Sequence, residues 1–371
     1  MPRVIALLAP LLLAGLGQTI SGVVRAEIEY QPFFDQSAVI RRVIILALDC
    51  APPPPAPVEL RQTSKYRQLE GETAEDALER YRRSMEAIDL FGNTTADLAD
   101  RALATLYRQK LPARCAGSWL EAWARAGALT GDASRQGAHI RKWELAVYAI
   151  AYQKVQPWLD AGSTEPIEAW LRRLGRLVQA TYPRDSDLQS GNNNHLNWAV
   201  WATANAAVAT SDEALWEWSL ERFRMILSTI PEDALLPLEM KRGAAALGYQ
   251  IYATAPLVLL AELYRRNGID TFHMHSEAIA RLVDRALRAL ADPSEIEARA
   301  GEKQAVDDVA TSSRLSWLEV YTARFPSARA EKLLMPLRPL GHRTYGGNIS
   351  QMFGPLASHQ NIPHKKTDWA E

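Results

Sequence analysis

The stretch Asn192-Asn193-Asn194-His195-Leu196-Asn197-Trp198 is followed downstream by Lys241-Arg242 and by Tyr249. Together these segments supply an amide, an imidazole, a guanidinium and a phenol. The four groups suit elimination across the C4–C5 bond of a uronic acid in a polysaccharide. The C5 proton of such a sugar lies beside a carboxylate. While that carboxylate is ionised, removing the proton would build a second negative charge next to the first, so the proton is barely acidic. Amide and guanidinium donors neutralise the carboxylate and spread the enolate charge as it develops. A base near C5 and an acid near the bridging O4 complete the reaction. Arg242 and Tyr249 are seven residues apart. On a continuous helix they would lie two turns apart on one face, with backbones separated by about 10.5 Å, and a uronate would fit between them.

Taken singly, each residue has a plainer use: His195 as a structural histidine, Arg242 in a surface ion pair, Tyr249 as a core aromatic. Two other functional classes are weighed against elimination. A glycoside hydrolase needs a pair of carboxylates, and Glu239 is the one obvious candidate near the motif. A non-catalytic polyuronate-binding protein of an export system would need no tyrosine at this spacing.

The elements that position these residues are helical. In Ile167, Trp170, Leu171, Leu174, Leu177 and Val178 the apolar positions form one stripe. Thr164 is the expected cap of that helix, with Pro166 in its first turn. Thr210-Ser211-Asp212-Glu213 is a capping-box pattern opening the next helix. A further helix is expected over Ala255–Arg266, with Pro256 in its first turn and Asn267-Gly268 as its stop. Similar units fall at about 145–158, 166–181, 194–209, 212–229, 240–266 and 274–291, joined by short turns. Alternating strand patterns of any length are lacking. The expectation is an all-α chain of antiparallel helical hairpins packed side by side.

Residues 1–26 read as a secretory signal: Arg3 is the positive start, Val4–Leu16 the apolar core, and Val24-Arg25-Ala26 the cleavage site. The remainder, 27–371, reads as one domain with a loose polar tail from about 359. It has no other hydrophobic run expected to span a membrane, and the expected location is the periplasm. Of 42 basic and 43 acidic residues, removal of Arg3 and Arg25 leaves 40 against 43. A polyanion must therefore be gripped by a local basic lining, which a cleft focuses. No Lys/Arg-rich stripe points to nucleic acid. Cys50 and Cys115, the two cysteines, are expected to pair in an exported chain. Their bond would close a loop of about 65 residues, worth about 3–4 kcal/mol in the chain-entropy model.

Beyond the chemistry, the order of motifs carries a resemblance. Asn-Asn-His-x-x-Trp, then Leu-x-x-Glu-x-Lys-Arg, then Tyr249 resemble the alginate lyases of polysaccharide lyase family 5. Thr63-Ser64-Lys65-Tyr66, the stretch Cys115–Leu129, Arg141-Lys142-Trp143 and Trp317-Leu318-Glu319 are similar to family segments in the same order, and the likeness covers about Ala51 to Phe353. The resemblance implies an incomplete (α/α) toroid with a cleft across its open end. It implies that Asn194, His195, Arg242 and Tyr249 are catalytic, with Asn194 and His195 neutralising the carboxylate and Tyr249 serving as base and acid. His195 would be the base where the C5 proton lies on the opposite ring face. An Arg242-lowered pKa is expected for Tyr249. Lys65 in a lid, Gln136, His139, Trp143, Trp198 and Arg343 are the implied substrate-binding residues. The substrate implied is an anionic polysaccharide, most directly polymannuronate, with glucuronan or hyaluronan as alternatives. No metal or organic cofactor is implied, and a monomer is expected. Asn197, Gly243, Gly248 and His139 depart from the family pattern, which leaves the flanking subsites open.

Overall fold

The computed structural model describes residues 29–36, 50–104, 110–183 and 193–354. The signal-like segment, Asn192 and the tail expected from about 359 lie outside the described residues.

Helical hairpins follow one another along the chain. They are α1 (Ala74–Ala104) with α2 (Lys110–Arg125), α3 (Arg135–Val155) with α4 (Ala161–Thr181), and α5 (Asn194–Thr210) with α6 (Glu213–Ser228). After the single turn α7 (Pro237–Met240) come α8 (Ala246–Arg266) and α9 (Ala278–Ala291). The chain continues through α10 (Ser294–Ala300), α11 (Ser316–Arg324) and α12 (Ala328–Leu334). A short antiparallel ribbon, β1 (Gly341–His342) with β2 (Gly347–Asn348), precedes α13 (Ile349–Phe353). Helices α3, α5 and α8 are buried on almost every side; α5 and α8 are largely apolar all round, whereas α3 carries Arg141, Lys142, Glu144 and Lys154 inside. The amphipathic α2, α4, α6 and α9 cover them.

The packing order is that of a toroid. α1, α3, α5, α8 and α11 each lie against the next as an inner wall, and α2, α4, α6 and α9 do the same outside. Each outer helix returns the chain, so the inner helices run the same way and bring their N-terminal ends to one mouth of the ring. The ring is completed from the C-terminal side by the ribbon segment. Lys154 on α3 bonds Asp100 on α1 and the Gly346 carbonyl, Asn348 N donates to Asp100 at 2.8 Å, and Trp201 Nε1 donates to the Thr344 carbonyl at 2.8 Å. Among the described residues one helical stretch, Gly243–Arg266, is long and apolar enough to cross a membrane, but its apolar window is 72% buried inside the protein. It is a core element here.

Cys50 and Cys115 are disulfide-bonded. The proline-rich segment after Cys50 is laid on α2: Trp119 Nε1 donates to Ala51 O at 2.6 Å and Trp123 Nε1 to Pro54 O at 2.9 Å. The arm then runs alongside residues 129–134, with backbone bonds from Leu129, Gly131 and Ser134 to Pro57, Val58 and Leu60. A Cβ at Gly137 would stand 2.1 Å from the Leu60 carbonyl oxygen, so only glycine lets arm and α3 meet this closely.

Several helix boundaries differ from expectation: α3 starts at Arg135 and not near 145, α9 at Ala278 and not near 274, and Asp212, not Thr210, caps α6 by accepting from Leu215 N at 3.0 Å. Asp160, not Thr164, caps α4, its carboxylate accepting from Ser163 N at 3.0 Å. And α8 does not begin at Ala255 but runs through Pro256. The proline removes one N–H from the helical ladder, and the side chain of Asn197 donates to the Ala253 carbonyl at 3.0 Å in that same turn.

Candidate active site

Three inner helices deliver the site from their first turns. α3 brings Gln136, His139, Lys142 and Trp143; α5 brings Asn194 and His195; and α8 brings Tyr249. Helix N-termini carry partial positive charge, which suits the mouth of the ring to an anion. On α5 the start is fixed by Asn193, whose side chain accepts from His195 N at 3.0 Å.

Arg242 and Tyr249 are not two turns apart on one helix. Gly243 adopts φ +57°, which breaks the chain between α7 and α8. The guanidinium of Arg242 instead folds back over the Tyr249 ring, 4.5 Å from its centroid. Glu239, in α7, joins the two halves of the motif. It is 1% exposed and accepts from Asn194 N and from Asn194 Nδ2, all at 3.0 Å, while Arg242 Nε stands 3.8 Å away. The sequence showed Glu239 only as a lone carboxylate. Here it is occupied in orienting the two donors.

Around His195 lies a cluster of bases. Its ring stacks on His139, with centroids 3.9 Å apart and planes 8° from parallel, and its Nδ1 lies 2.9 Å from Lys142 Nζ. His139 Nδ1 is 3.1 Å from the same Nζ and 3.3 Å from the Tyr182 hydroxyl. Lys142 Nζ also sits 4.4 Å from the centre of the Trp143 ring, which lies 6.1 Å from the His195 ring. Burial, then Lys142, pushes His139 down to about 3. Burial, then Lys142, His139, Arg242 and Arg135, drives His195 far below its ordinary value. Both imidazoles are therefore neutral. Arg135 and Arg242 supply the local positive lining that the overall charge demanded; Lys142 lies wholly inside, and burial holds its ammonium well below the ordinary lysine pKa.

Tyr249 differs from expectation. Burial raises its pKa, the Tyr66 phenol nearby raises it further, and Arg242 lowers it by less. The resting phenol is protonated. Tyr66 belongs to the segment 63–66 and is 77% exposed, so a surface residue reaches the catalytic-type tyrosine. Lys65 is exposed beside it, its Nζ 5.4 Å from the Tyr66 ring. Gln136 lies close enough to Tyr81 on α1 to lower its pKa, though burial raises it more. A cavity of about 140 Å³, lined by Gly248, Tyr252, Arg314, His342 and Tyr345, opens next to Tyr249.

Two expected binding residues are placed elsewhere. Trp198 is 1% exposed, packed between Tyr252 and Tyr345 with centroids at 4.9 and 5.2 Å; its ring braces the wall from within and offers no face to a sugar. Arg343 is held by two carboxylates, Asp89 at 2.8 Å and Glu144 at 2.6 Å. Gly92 makes room for it, since a Cβ there would lie 2.7 Å from the guanidinium. It ties α1 to α3 and is not a free cation for substrate.

A ring of helical hairpins whose mouth gathers an oriented amide, neutral imidazoles, a guanidinium and a phenol has the build of a helical-toroid polysaccharide lyase. The comparisons with known proteins agree. Residues 51–296 match the family model for alginate lyase, and the chain belongs to that family. It is 31% identical over 323 residues to an alginate lyase of Pseudomonas aeruginosa, covering 82% of this chain and 84% of that one. It is 30% identical over 308 residues to a polysaccharide lyase of Stenotrophomonas maltophilia, covering 82% and 90%. Among solved structures, alginate lyase A1-III from Sphingomonas species A1 superposes with a TM-score of 0.74 at 26% identity, over 83% of this chain and 88% of that one. A tyrosine-to-phenylalanine variant of A1-III complexed with a tetrasaccharide superposes equally well, over 87% and 89%.

Proposed function

We propose that the protein is an exported, periplasmic lyase that cleaves alginate at β-D-mannuronate by β-elimination and acts as a monomer. The observation that carries this reading is the Glu239-centred arrangement, which holds Asn194 and Arg242 together with the Arg242 guanidinium over the Tyr249 ring. In this reading Asn194, His195 and Arg242 bind the C6 carboxylate of the sugar at the cleavage point. The developing charge at C5 then spreads into a carboxylate already neutralised by donors. In mannuronate, C5–H and O4 lie on the same side of the ring, so one residue serves both. Ionised Tyr249 takes the C5 proton, the C4–O4 bond breaks as C4=C5 forms, and the same phenol returns the proton to O4. The products are a new reducing end and an unsaturated non-reducing end. Because the resting phenol is protonated, the reactive form is a minor species that grows with pH, and Arg242 over the ring favours it.

The test is ultraviolet absorbance over time with polymannuronate, polyguluronate, glucuronan and hyaluronan supplied separately. A signal from the conjugated C4=C5 bond that is fastest on polymannuronate and absent in Tyr249→Phe is the expected result. No signal on any polymer, with binding retained, would overturn catalysis and favour a polyuronate-binding protein. Faster cleavage of another polymer would keep the chemistry and change the substrate.

A further inference from the structure

Lys142 is fully enclosed, at 0% exposure. Among the described residues no carboxylate lies within ion-pair distance of its ammonium. Buried lysines are rarely left without a counter-charge, so this one needs an account that the lyase chemistry above does not give.

Its surroundings supply one. The two imidazoles stacked at 3.9 Å both turn Nδ1 toward the same Nζ, at 2.9 and 3.1 Å. An ammonium has three N–H donors and no acceptor, and a neutral amine has two donors and a single lone pair. Either form can donate to both Nδ1 atoms at once, whereas neither can accept from both. His139 Nδ1 also faces the Tyr182 hydroxyl at 3.3 Å, which can donate to that nitrogen alongside Lys142 when it is bare. A neutral imidazole with a bare Nδ1 carries its proton on Nε2.

We propose that Lys142 is a positioning residue: by donating to Nδ1 of His195 it fixes the Nε2–H tautomer, making His195 a permanent hydrogen-bond donor to the substrate carboxylate and not a base. This rests on the lyase reading and deepens it. Tyr249 is left as the proton acceptor, and the alternative use of His195 as base from the opposite ring face is suppressed. The donor role also survives changes of pH. The charged and titratable groups facing His195 are Lys142, His139, Arg242 and Arg135, and each lowers its pKa after burial has done so. Trp143 and Tyr182 complete the wall around Nζ. The imidazole therefore stays neutral, with one N–H in a constant place.

The experiment combines a spectrum with kinetics. Long-range proton–nitrogen correlation spectra of the nitrogen-15-labelled protein, assigned by the signals lost in His195→Gln, report which ring nitrogen is protonated. The expected wild-type result is Nε2–H with bare Nδ1, unchanged between about pH 5.5 and 8. Lys142→Met keeps an apolar stem and removes the donor. It is expected to populate both tautomers and to lower kcat about 100-fold with a smaller change in KM. Lys142→Gln restores a neutral donor and is expected to recover about tenfold of that loss. An Nδ1–H tautomer in the wild type overturns the proposal, as does a folded Lys142→Met with kcat within about threefold of wild type. If Lys142→Met does not fold, the wild-type spectrum decides. A wild-type protein inactive on every polyuronate would sink the lyase reading, while the tautomer measurement would still judge Lys142.

Discussion

Replacing Glu239 with glutamine tests whether this buried carboxylate organises the site. Glu239 receives three contacts of 3.0 Å from Asn194 and stands 3.8 Å from Arg242. Glutamine keeps one oxygen for the Asn194 backbone N–H but turns an NH2 toward Asn194 Nδ2, donor against donor. The asparagine amide must flip or withdraw, and Arg242 loses its anionic neighbour. Loss of a charge-assisted bond costs about 1.5–3 kcal/mol. With an unfolding entropy of about 2.1 cal/mol/K per residue over roughly 300 residues, about 2 kcal/mol corresponds to a fall in Tm of about 3 °C. Turnover should suffer far more, because one displaced transition-state donor costs about 100-fold or more in kcat. A thermal melt and the absorbance assay on polymannuronate read the two effects separately. Turnover within about threefold of wild type in a protein with an unchanged melt would refute Glu239 as the organiser.

Further outcomes follow from the same geometry. Tyr249→Phe should abolish product absorbance while a sedimentation or calorimetric titration still detects polymer binding. Removing the Tyr66 hydroxyl as Tyr66→Phe takes away a group that raises the Tyr249 pKa, so the rising limb of kcat/KM against pH should move to lower pH; a shift the other way contradicts the assignment. Lys65→Ala should raise KM with little loss of kcat, whereas Arg343→Ala, which strips a buried partner from Glu144 and Asp89, should lower Tm and leave KM nearly unchanged once folded. Cys50→Ser with Cys115→Ser opens a 65-residue loop and should cost about 4 kcal/mol, seen as a lower denaturant midpoint that reducing agent reproduces in the wild type.

Much of this was legible in the chain. The disulfide and the helical hairpins followed from cysteine usage and apolar period, and the nearness of Asn194, His195, Arg242 and Tyr249 from the order of the motifs, because these are local signals. What escaped was set by tertiary contact. Arg242 and Tyr249 looked like neighbours on one helix because nothing in the sequence announces that Gly243 takes a left-handed conformation. Pro256 looked like a helix start because the Asn197 bond one turn away, from a residue far back in the chain, is invisible to periodicity. Trp198 and Arg343 carry side-chain types that suit sugars and uronates, yet burial and two carboxylates claim them. Lys142 sits within an apolar, helical stretch three residues after His139, and that placement of a lysine was a readable signal. Its meaning depended on His195, 53 residues onward. Tyr66 was visible as part of a segment but not as the partner of Tyr249.

The way the ring is closed has a consequence for how the molecule is made. Arg343 reaches Asp89 across 254 positions of sequence, Asn348 reaches Asp100 across 248, and Gln31 near the other end pairs with Asn267 across 236. Such distant pairings carry a large loop-closure cost and form late. A nascent chain lacking residues 325–354 would have Asn194, His195, Arg242 and Tyr249 in hand but no latch on α1 and α3, and no Tyr345 behind Trp198. Assembly is thus held incomplete until Arg343 and Asn348 have been made. For a polypeptide proposed to cross a membrane unfolded, that delay keeps it threadable, and it postpones a working lyase until the whole chain has arrived.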